Sequence, residues 1–292
     1  STRELISIMS DCIPKLTAAL HKGQCGRVAV IGGSEEYTGA PYFSAISSLK
    51  TGADYVRVVC PLSTAQVIKS YSPDLVVHPL LDCTQEGNLG LISQWIRASS
   101  SVIVGPGLGR REGQISFVGK VLEGVCEEMP NCVMVIDADG LLVVERFPSV
   151  ILRHRNTILT PNVMEYDRLV RAILTTESKR DREGDHEQMQ ELCKKLGDIT
   201  IFRKQDHDKI CDGKDVLSVE EPGSYRRCAG QGDVLSGVVS AMAAWTAASL
   251  PHIRPDLNPM VVAAYAAGTL VRLCARNAYS HHSRSTTTED IV

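Results

Sequence analysis

The chain has 292 residues, a formal net charge of −3, 43% hydrophobic residues and 22% charged residues. That supplies a sizeable core and the length for one large α/β unit or two smaller ones. The slightly negative balance excludes nucleic acid as the main partner, which needs a basic field, but leaves room for local basic sites that hold a phosphorylated small molecule.

Ten cysteines are scattered without a CxxC pair, which argues against zinc ribbons and thioredoxin chemistry and for a reduced, intracellular compartment. Residues 1–20 carry charges throughout and do not read as a signal peptide. The expected location is cytoplasmic, or mitochondrial if a transit peptide was removed. The uncharged run from Val234 to Ile253 approaches membrane-spanning length. Its small residues, its Pro251 and the acidic residue just before it mark a buried core helix instead, so no membrane partner is expected.

In chain order, residues 3–21 read as an amphipathic helix, with Leu5, Ile8, Met9, Ile13, Leu16 and Leu20 near helical spacing. Arg27 to Gly33, RVAVIGG, reads as a buried parallel strand ending in a tight loop, followed by a helix over Tyr42 to Thr51 with small residues suited to close packing. The alternation continues. Strands are expected at Tyr55 to Cys60, Asp74 to His78, Ser101 to Val104 and Val133 to Ile136. Helices are expected at Ser63 to Ser70, Leu89 to Ala98 and Ile115 to Val125. Beyond Thr160 follow helices Val163 to Leu174 and Asp185 to Leu196, a strand Ile199 to Phe202, and a hairpin of Lys209 to Cys211 with Val216 to Val219 over Asp212-Gly213. Two long helices close the chain, about Gly232 to Leu250 and about Pro259 to Ala278. No repeat and no separating linker interrupts 1–292, so a single domain is expected. Alternating strands and helices imply βαβ units, a mainly parallel sheet and ligands at the carboxyl ends of the strands. Those ends read GGSEEYTG, GPGLGR, DADG and TPN.

Gly105-x-Gly107-x-Gly109 follows a strand but fits a dinucleotide-binding turn poorly, because the third glycine is displaced. A loop that touches phosphate or substrate is the better reading. No P-loop is present. Asp137 and Asp139 flank a sharp turn, where paired carboxylates could hold Mg²⁺, or one of them could cap the helix near Leu141. Asn162 with Glu165 makes a capping box that also sets polar groups at the ligand edge. Lys204 and Asp208 either pair locally on a strand edge, or Lys204 reaches a nucleotide. The histidines show no metal spacing.

The stretch from Gly223 to Gly237, GSYRRCAGQGDVLSG, combines four glycines, Arg226, Arg227 and Asp233 before an apolar helix. Glycines let backbone amides turn toward one point, and the helix N-terminus adds partial positive charge, which together make an anion hole with Asp233 at its lip. A plain glycine turn capping a core helix is the bland alternative.

Together and in order, GRVAVIGGSEEYTGAPYFSAISSLKTGAD, YSPDLVVHPLL, VIVGPGLGR, VIDADGL, LTPNVMEYDRL, GSYRRCAGQGD with LSG, and SRSTTTEDIV resemble the ATP-dependent NAD(P)HX dehydratases of the ribokinase-like superfamily over essentially the whole chain. The resemblance implies a three-layer α/β/α fold and ATP-dependent dehydration of NADHX and NADPHX, with ATP as co-substrate and Mg²⁺ as cofactor. It makes Asp233 the catalytic aspartate next to substrate and Gly230, Gln231 and Gly232 the anion hole for the γ-phosphate. It sets Gly223, Ser224, Tyr225, Arg226, Arg227 and Cys228, with Ala229, in an ATP-contacting loop. Lys204, Gln205, Asp206, His207 and Asp208 match the nucleotide segment. Gly107 and Gly109, with Asn162, Val163, Met164, Glu165, Tyr166, Asp167 and Arg168, match substrate contacts. This chain departs from the pattern at Gln205, Ala229 and Ser283, where glycine is usual. The first two add a Cβ to backbone expected to favour positive φ.

Two other readings stand beside this one: a small-molecule kinase of the same superfamily, and a nucleotide sensor without turnover. Gln231 within the anion hole favours the dehydratase over the kinase, and an intact Asp233 argues against the sensor. A homo-oligomer is compatible with either enzyme.

Overall fold

The computed structural model describes all residues except Ser1, Glu86 and Arg153. Its centre is a nine-stranded sheet in the order β3-β2-β1-β4-β5-β6-β7-β8-β9. Strands β1 (Arg27–Ile31), β2 (Tyr55–Val59), β3 (Val76–His78), β4 (Ser101–Val104), β5 (Val133–Ile136), β6 (Thr157–Leu159) and β7 (Thr200–Arg203) pair in parallel. β8 (Lys209–Cys211) and β9 (Val216–Ser218) add an antiparallel edge.

The strands are buried on both faces, so they read as apolar runs rather than alternating ones. The pleat sorts their side chains. Val28, Val30, Ile103, Val133 and Val135 join one core, while Ala29, Ile31, Val102, Val104, Met134 and Ile136 join the other. The first core is covered by α1 (Thr2–Cys12), α2 (Gly39–Thr51), α3 (Leu62–Tyr71), α9 (Gln231–Ile253) and α10 (Pro259–His282). The second is covered by α4 (Asn88–Ile96), α5 (Glu112–Glu128), α6 (Gly140–Arg146), α7 (Val163–Leu174) and α8 (Asp185–Lys195). The outcome is the expected three-layer arrangement.

The first helix is much shorter than expected. Pro14 disfavours helical backbone at the residue before it and cannot donate to the ladder, and α1 stops at Cys12. The other bounds shift by a few residues, most at α10, which runs on to His282.

Helix α9 has the length and apolarity to cross a membrane, yet its most apolar window is 78% buried within the protein. Small residues bring it close to α2. A side chain on Gly237 would meet the Ser44 carbonyl at 2.3 Å, and the Ser48 hydroxyl donates to the Gly237 carbonyl at 3.1 Å. Ser44 and Ser236 hydroxyls pair at 3.0 Å, and Ser101 and Ser240 at 2.7 Å. This packing fixes where the N-terminus of α9 meets the carboxyl ends of the strands.

The loops there are tied together by backbone bonds. Gly33 N–H donates to Pro106 at 2.9 Å, Gly105 to Ile31 at 2.9 Å and Asp137 to Val104 at 3.0 Å. Gly105 has φ +118°, and a Cβ on it would overlap the Asp137 carbonyl at 1.9 Å. Close backbone approach, rather than a dinucleotide turn, accounts for that glycine.

Candidate functional site

A cleft of about 980 Å³ opens beyond the ends of β6 and β7, against the first turn of α9. Its size suits a large small-molecule ligand. Asn162, Val163, Met164, Glu165 and Arg168 form one wall. Lys204 through Asp208 form the floor, and Gly223, Ser224, Arg227, Cys228, Gln231 and Gly232 the opposite wall.

The two sides are held in register by the sheet. Asn162 and Lys204 form a parallel bridge, with Lys204 N–H donating to Pro161 at 2.8 Å. The capping box at Asn162 is present in full. Its Oδ1 accepts from Met164 and Glu165 N–H at 2.9 and 3.0 Å, and the Glu165 carboxylate accepts from Asn162 N–H at 2.7 Å.

Gly230, at φ +99°, is the N-cap of α9 and lacks a side chain to cap it. The amides of Gln231 and Val234 bond back to Cys228 and Gly230. Among the described residues, the Gly232 and Asp233 amides between them have no hydrogen-bond partner. Two free donors at the positive end of a 23-residue helix are an anion site.

Beside these amides lie three carboxylates and one ammonium. Lys204 Nζ donates to Asp137 Oδ1 at 2.7 Å, with the Asp137 side chain 1% exposed. A Cβ built on Gly232 would stand 3.3 Å from that same Nζ, so the ammonium also borders the anion site. Burial alone would lower the Lys204 pKa, but Asp137, Glu165 and Asp233 outweigh it and hold it above its usual value. Burial raises the Glu165 carboxyl, with Lys204 opposing. Burial, and next the charge of Asp137, push Asp233 up to about 7. A carboxylate poised there suits a general base at neutral pH. The pH dependence of turnover should therefore show an acid limb near pH 7, with kcat/KM falling about tenfold per pH unit below it. A limb near pH 4 would mean that Asp233 titrates as an ordinary aspartate.

Several of the residues expected at the site have other neighbours in the structure. Asp137 and Asp139 do not face one site: Asp139 accepts from Gly109 N–H at 3.0 Å and from Arg110 Nε at 3.1 Å. Nor does Asp139 cap α6, since it makes no side-chain cap bond despite its N-cap position. Lys204 and Asp208 do not pair. Asp208 accepts from Gln205 N–H at 2.9 Å and from Arg272 Nε at 2.7 Å, which fixes the turn 205–208 from behind. Tyr166 is not a cleft residue; it is fully buried, with its ring centre 4.6 Å from the Arg203 guanidinium carbon. Asp167 turns to Arg180 at 3.8 Å. Tyr225 is 95% exposed and faces Tyr279, away from the cleft. Gly107 and Gly109 lie in the neighbouring loop rather than in the cleft wall, and a Cβ on Gly107 would meet the Tyr37 carbonyl at 2.8 Å. Of the three glycine departures only Ser283 adopts positive φ, at 51°, while Gln205 and Ala229 do not.

Two supports escaped sequence reading. Arg272 of α10 also donates to the Gln205 carbonyl at 2.9 Å; an arginine in the apolar run of a helix was its signal. The C-terminal segment straps the loop 223–229. Thr288 donates to the Ala229 carbonyl, Arg226 Nε and Cys228 Sγ both donate to the Thr286 carbonyl, and Thr286 and Thr288 are buried.

The family model for NAD(P)H-hydrate dehydratase matches residues 28–292. The ATP-dependent (S)-NAD(P)H-hydrate dehydratase of Nematostella vectensis is 45% identical over 99% of this chain and 79% of its own length. A crystal structure of the ADP/ATP-dependent NAD(P)H-hydrate dehydratase of Bacillus subtilis, co-crystallised with ATP and Mg²⁺, superposes with a TM-score of 0.70 at 18% identity, covering 100% of this chain and 95% of that one. Ribokinase of Thermotoga maritima superposes with a TM-score of 0.55 at 11% identity, covering 91% and 98% of the two chains. The fold is thus ribokinase-like, and the chain belongs to the NAD(P)H-hydrate dehydratase family.

Proposed function

We propose that this chain dehydrates (6S)-NADHX and NADPHX to NADH and NADPH, coupled to cleavage of ATP to ADP and phosphate. The observation that carries this reading is Asp233, raised toward neutral pKa, at the head of a helix that presents two free amides beside an ammonium.

Hydroxide leaves a carbon poorly and phosphate leaves well. Asp233 takes the proton from the hydroxyl of the hydrated ring, and that oxygen attacks the γ-phosphorus of ATP as ADP departs. The Gly232 and Asp233 amides stabilise the charge on the transferred group, and the cleft walls hold the two reactants in line. The ring nitrogen lone pair then expels phosphate, and loss of a proton from the adjacent ring carbon restores the double bond. The hydroxyl oxygen ends in inorganic phosphate. Lys204 through Asp208 with Gly223, Ser224, Arg227, Cys228, Gln231 and Gly232 face the nucleotide, and Asn162, Val163, Met164, Glu165 and Arg168 face the hydrated cofactor.

The residues present do not fit a resident Mg²⁺. Among the described residues no three His, Cys, Asp or Glu side chains converge as a metal site, and Asp137 already carries an ammonium. In this reading Mg²⁺ would be held by the ATP phosphates rather than by side chains of this chain.

Incubation with ATP, Mg²⁺ and acid-generated NADHX should restore absorbance of the reduced nicotinamide with stoichiometric phosphate. ATP-dependent phosphorylation of another alcohol without that recovery would favour the kinase reading instead.

A further inference from the structure

The anion site at the head of α9 is held by a segment far along the chain. Thr287 N–H and hydroxyl donate to the Asp290 carboxylate at 2.7 and 2.9 Å, and Ile291 N–H donates to the Thr288 carbonyl at 3.1 Å, so 287–291 closes as a turn. Ile291, 4% exposed, anchors that turn in the first core. Thr288 is thereby buried against the N-cap of α9, and its hydroxyl donates to the Ala229 carbonyl at 2.5 Å. A Cβ on Gly230 would stand 3.2 Å from Thr288 Oγ1 and 3.2 Å from Phe43 Cδ2, so these two side chains flank the N-cap. Gly230 has φ +99° and ψ −8°. Glycine takes either sign of φ at little cost, so Gly230 does not by itself fix the peptide that joins it to Ala229. A hydrogen bond from outside has to do so. Donor amides stabilise a transferred group only when they are already aimed at it, and the first turn of α9 starts from this peptide.

We infer that Thr288 is a positioning residue for the anion site: its hydroxyl fixes the plane of the Ala229–Gly230 peptide and so aims the Gly232 and Asp233 amides at the γ-phosphate. Thr288 does not line the cleft, so it acts through the backbone rather than by touching either reactant. The other ties on the loop survive any change at this position, because Arg226 Nε and Cys228 Sγ donate to the backbone carbonyl of Thr286, at 3.5 and 3.2 Å. Loss of the hydroxyl therefore frees the peptide without releasing the loop. The inference rests on the reading of the α9 amides as the γ-phosphate site. Its test can be read without the hydrated cofactor, so the dehydration chemistry and this role can fail separately.

The probe is ADP with beryllium trifluoride, a mimic of the bound γ-phosphate, compared with ADP alone by calorimetry in the presence of Mg²⁺. Thr288→Ser and Thr288→Ala leave the same space and differ only in the hydroxyl. Thr288→Ala should bind the mimic about tenfold more weakly than Thr288→Ser, the size expected for one hydrogen bond, while ADP alone binds both within about twofold. With NADHX as substrate, kcat of Thr288→Ala should fall about tenfold with KM for NADHX within about twofold, and Thr288→Ser should restore kcat. Thr288→Val, which keeps the volume and lacks the hydroxyl, should behave as Thr288→Ala and replaces it if the smaller side chain does not fold. Equal losses for ADP and for the mimic would mean a general structural role and would overturn the inference. So would a folded Thr288→Ala or Thr288→Val that binds the mimic as tightly as wild type.

Discussion

Asp233→Asn should lower kcat by about 10² to 10⁴-fold, the range for loss of a general base, while ATP binding stays within a few-fold of wild type. The amide keeps the size and the helix start, so the Gly232 and residue-233 backbone donors remain in place. Steady-state turnover and calorimetric ATP binding separate the two effects. The same variant should gain stability. A carboxyl with a raised folded-state pKa binds its proton more tightly when folded, so the native state is most favoured near and below the unfolded value of about 4 and loses that advantage as pH rises through about 7. Removing the charge should therefore stabilise the protein by about 2 kcal/mol at pH 8, allowing for solvent screening, with little gain at pH 4. Denaturant midpoints at the two pH values measure this directly. Full turnover in Asp233→Asn would remove the residue from its assigned role.

The second large effect concerns stability. Arg203 is fully buried and grips Asp185 with two bonds, at 2.7 and 2.8 Å, while Lys209 Nζ reaches the same carboxylate at 2.7 Å. Burial alone would raise the Asp185 carboxyl, but the bonds from Arg203 and Lys209 outweigh it and hold it far below the usual carboxylate range. Asp185→Ala leaves a buried guanidinium unpaired and should cost about 3–5 kcal/mol, read from urea unfolding. Replacing both partners, Asp185→Leu with Arg203→Met, should recover most of that loss. By linkage, the pair's contribution is present above about pH 4 and is lost as pH falls toward the folded-state pKa, so Asp185→Ala should also weaken the acid dependence of stability. The reach of this pair extends to the site. Arg203 and Lys204 are consecutive at the end of β7, and the pleat sends them to opposite faces, one to the core under Tyr166 and one to the cleft. Fixing the first helps to fix the second.

The alternation of strands and helices was legible because the central parallel strands are apolar runs followed at once by Gly or Asp, as after Ile31, Val104 and Ile136. The capping box at Asn162 and the glycine-led start of α9 were legible because their chemistry is local, within four residues. What could not be read was side-chain partnership across the sheet. Lys204 and Asp137 are 67 positions apart and meet only because β5, β6 and β7 are neighbours. The same holds for Asp139 with Gly109, and for Arg272 with Asp208 across 64 positions. DADG gives no sign that its two aspartates diverge. Ala138 between them adopts φ +49°, and one aspartate meets Lys204 while the other meets the GPGLGR loop. Tyr166 likewise sits in a stretch of polar neighbours, but its helix face turns it inward.

The most direct test of the account is the fate of one oxygen. NADHX formed by hydration in H₂¹⁸O carries ¹⁸O in its ring hydroxyl, and turnover with unlabelled ATP in ordinary water should deliver that label to inorganic phosphate, one atom per NADH formed. Label released to bulk water, with unlabelled phosphate, would show that the hydroxyl is never phosphorylated and that ATP cleavage here has some other use.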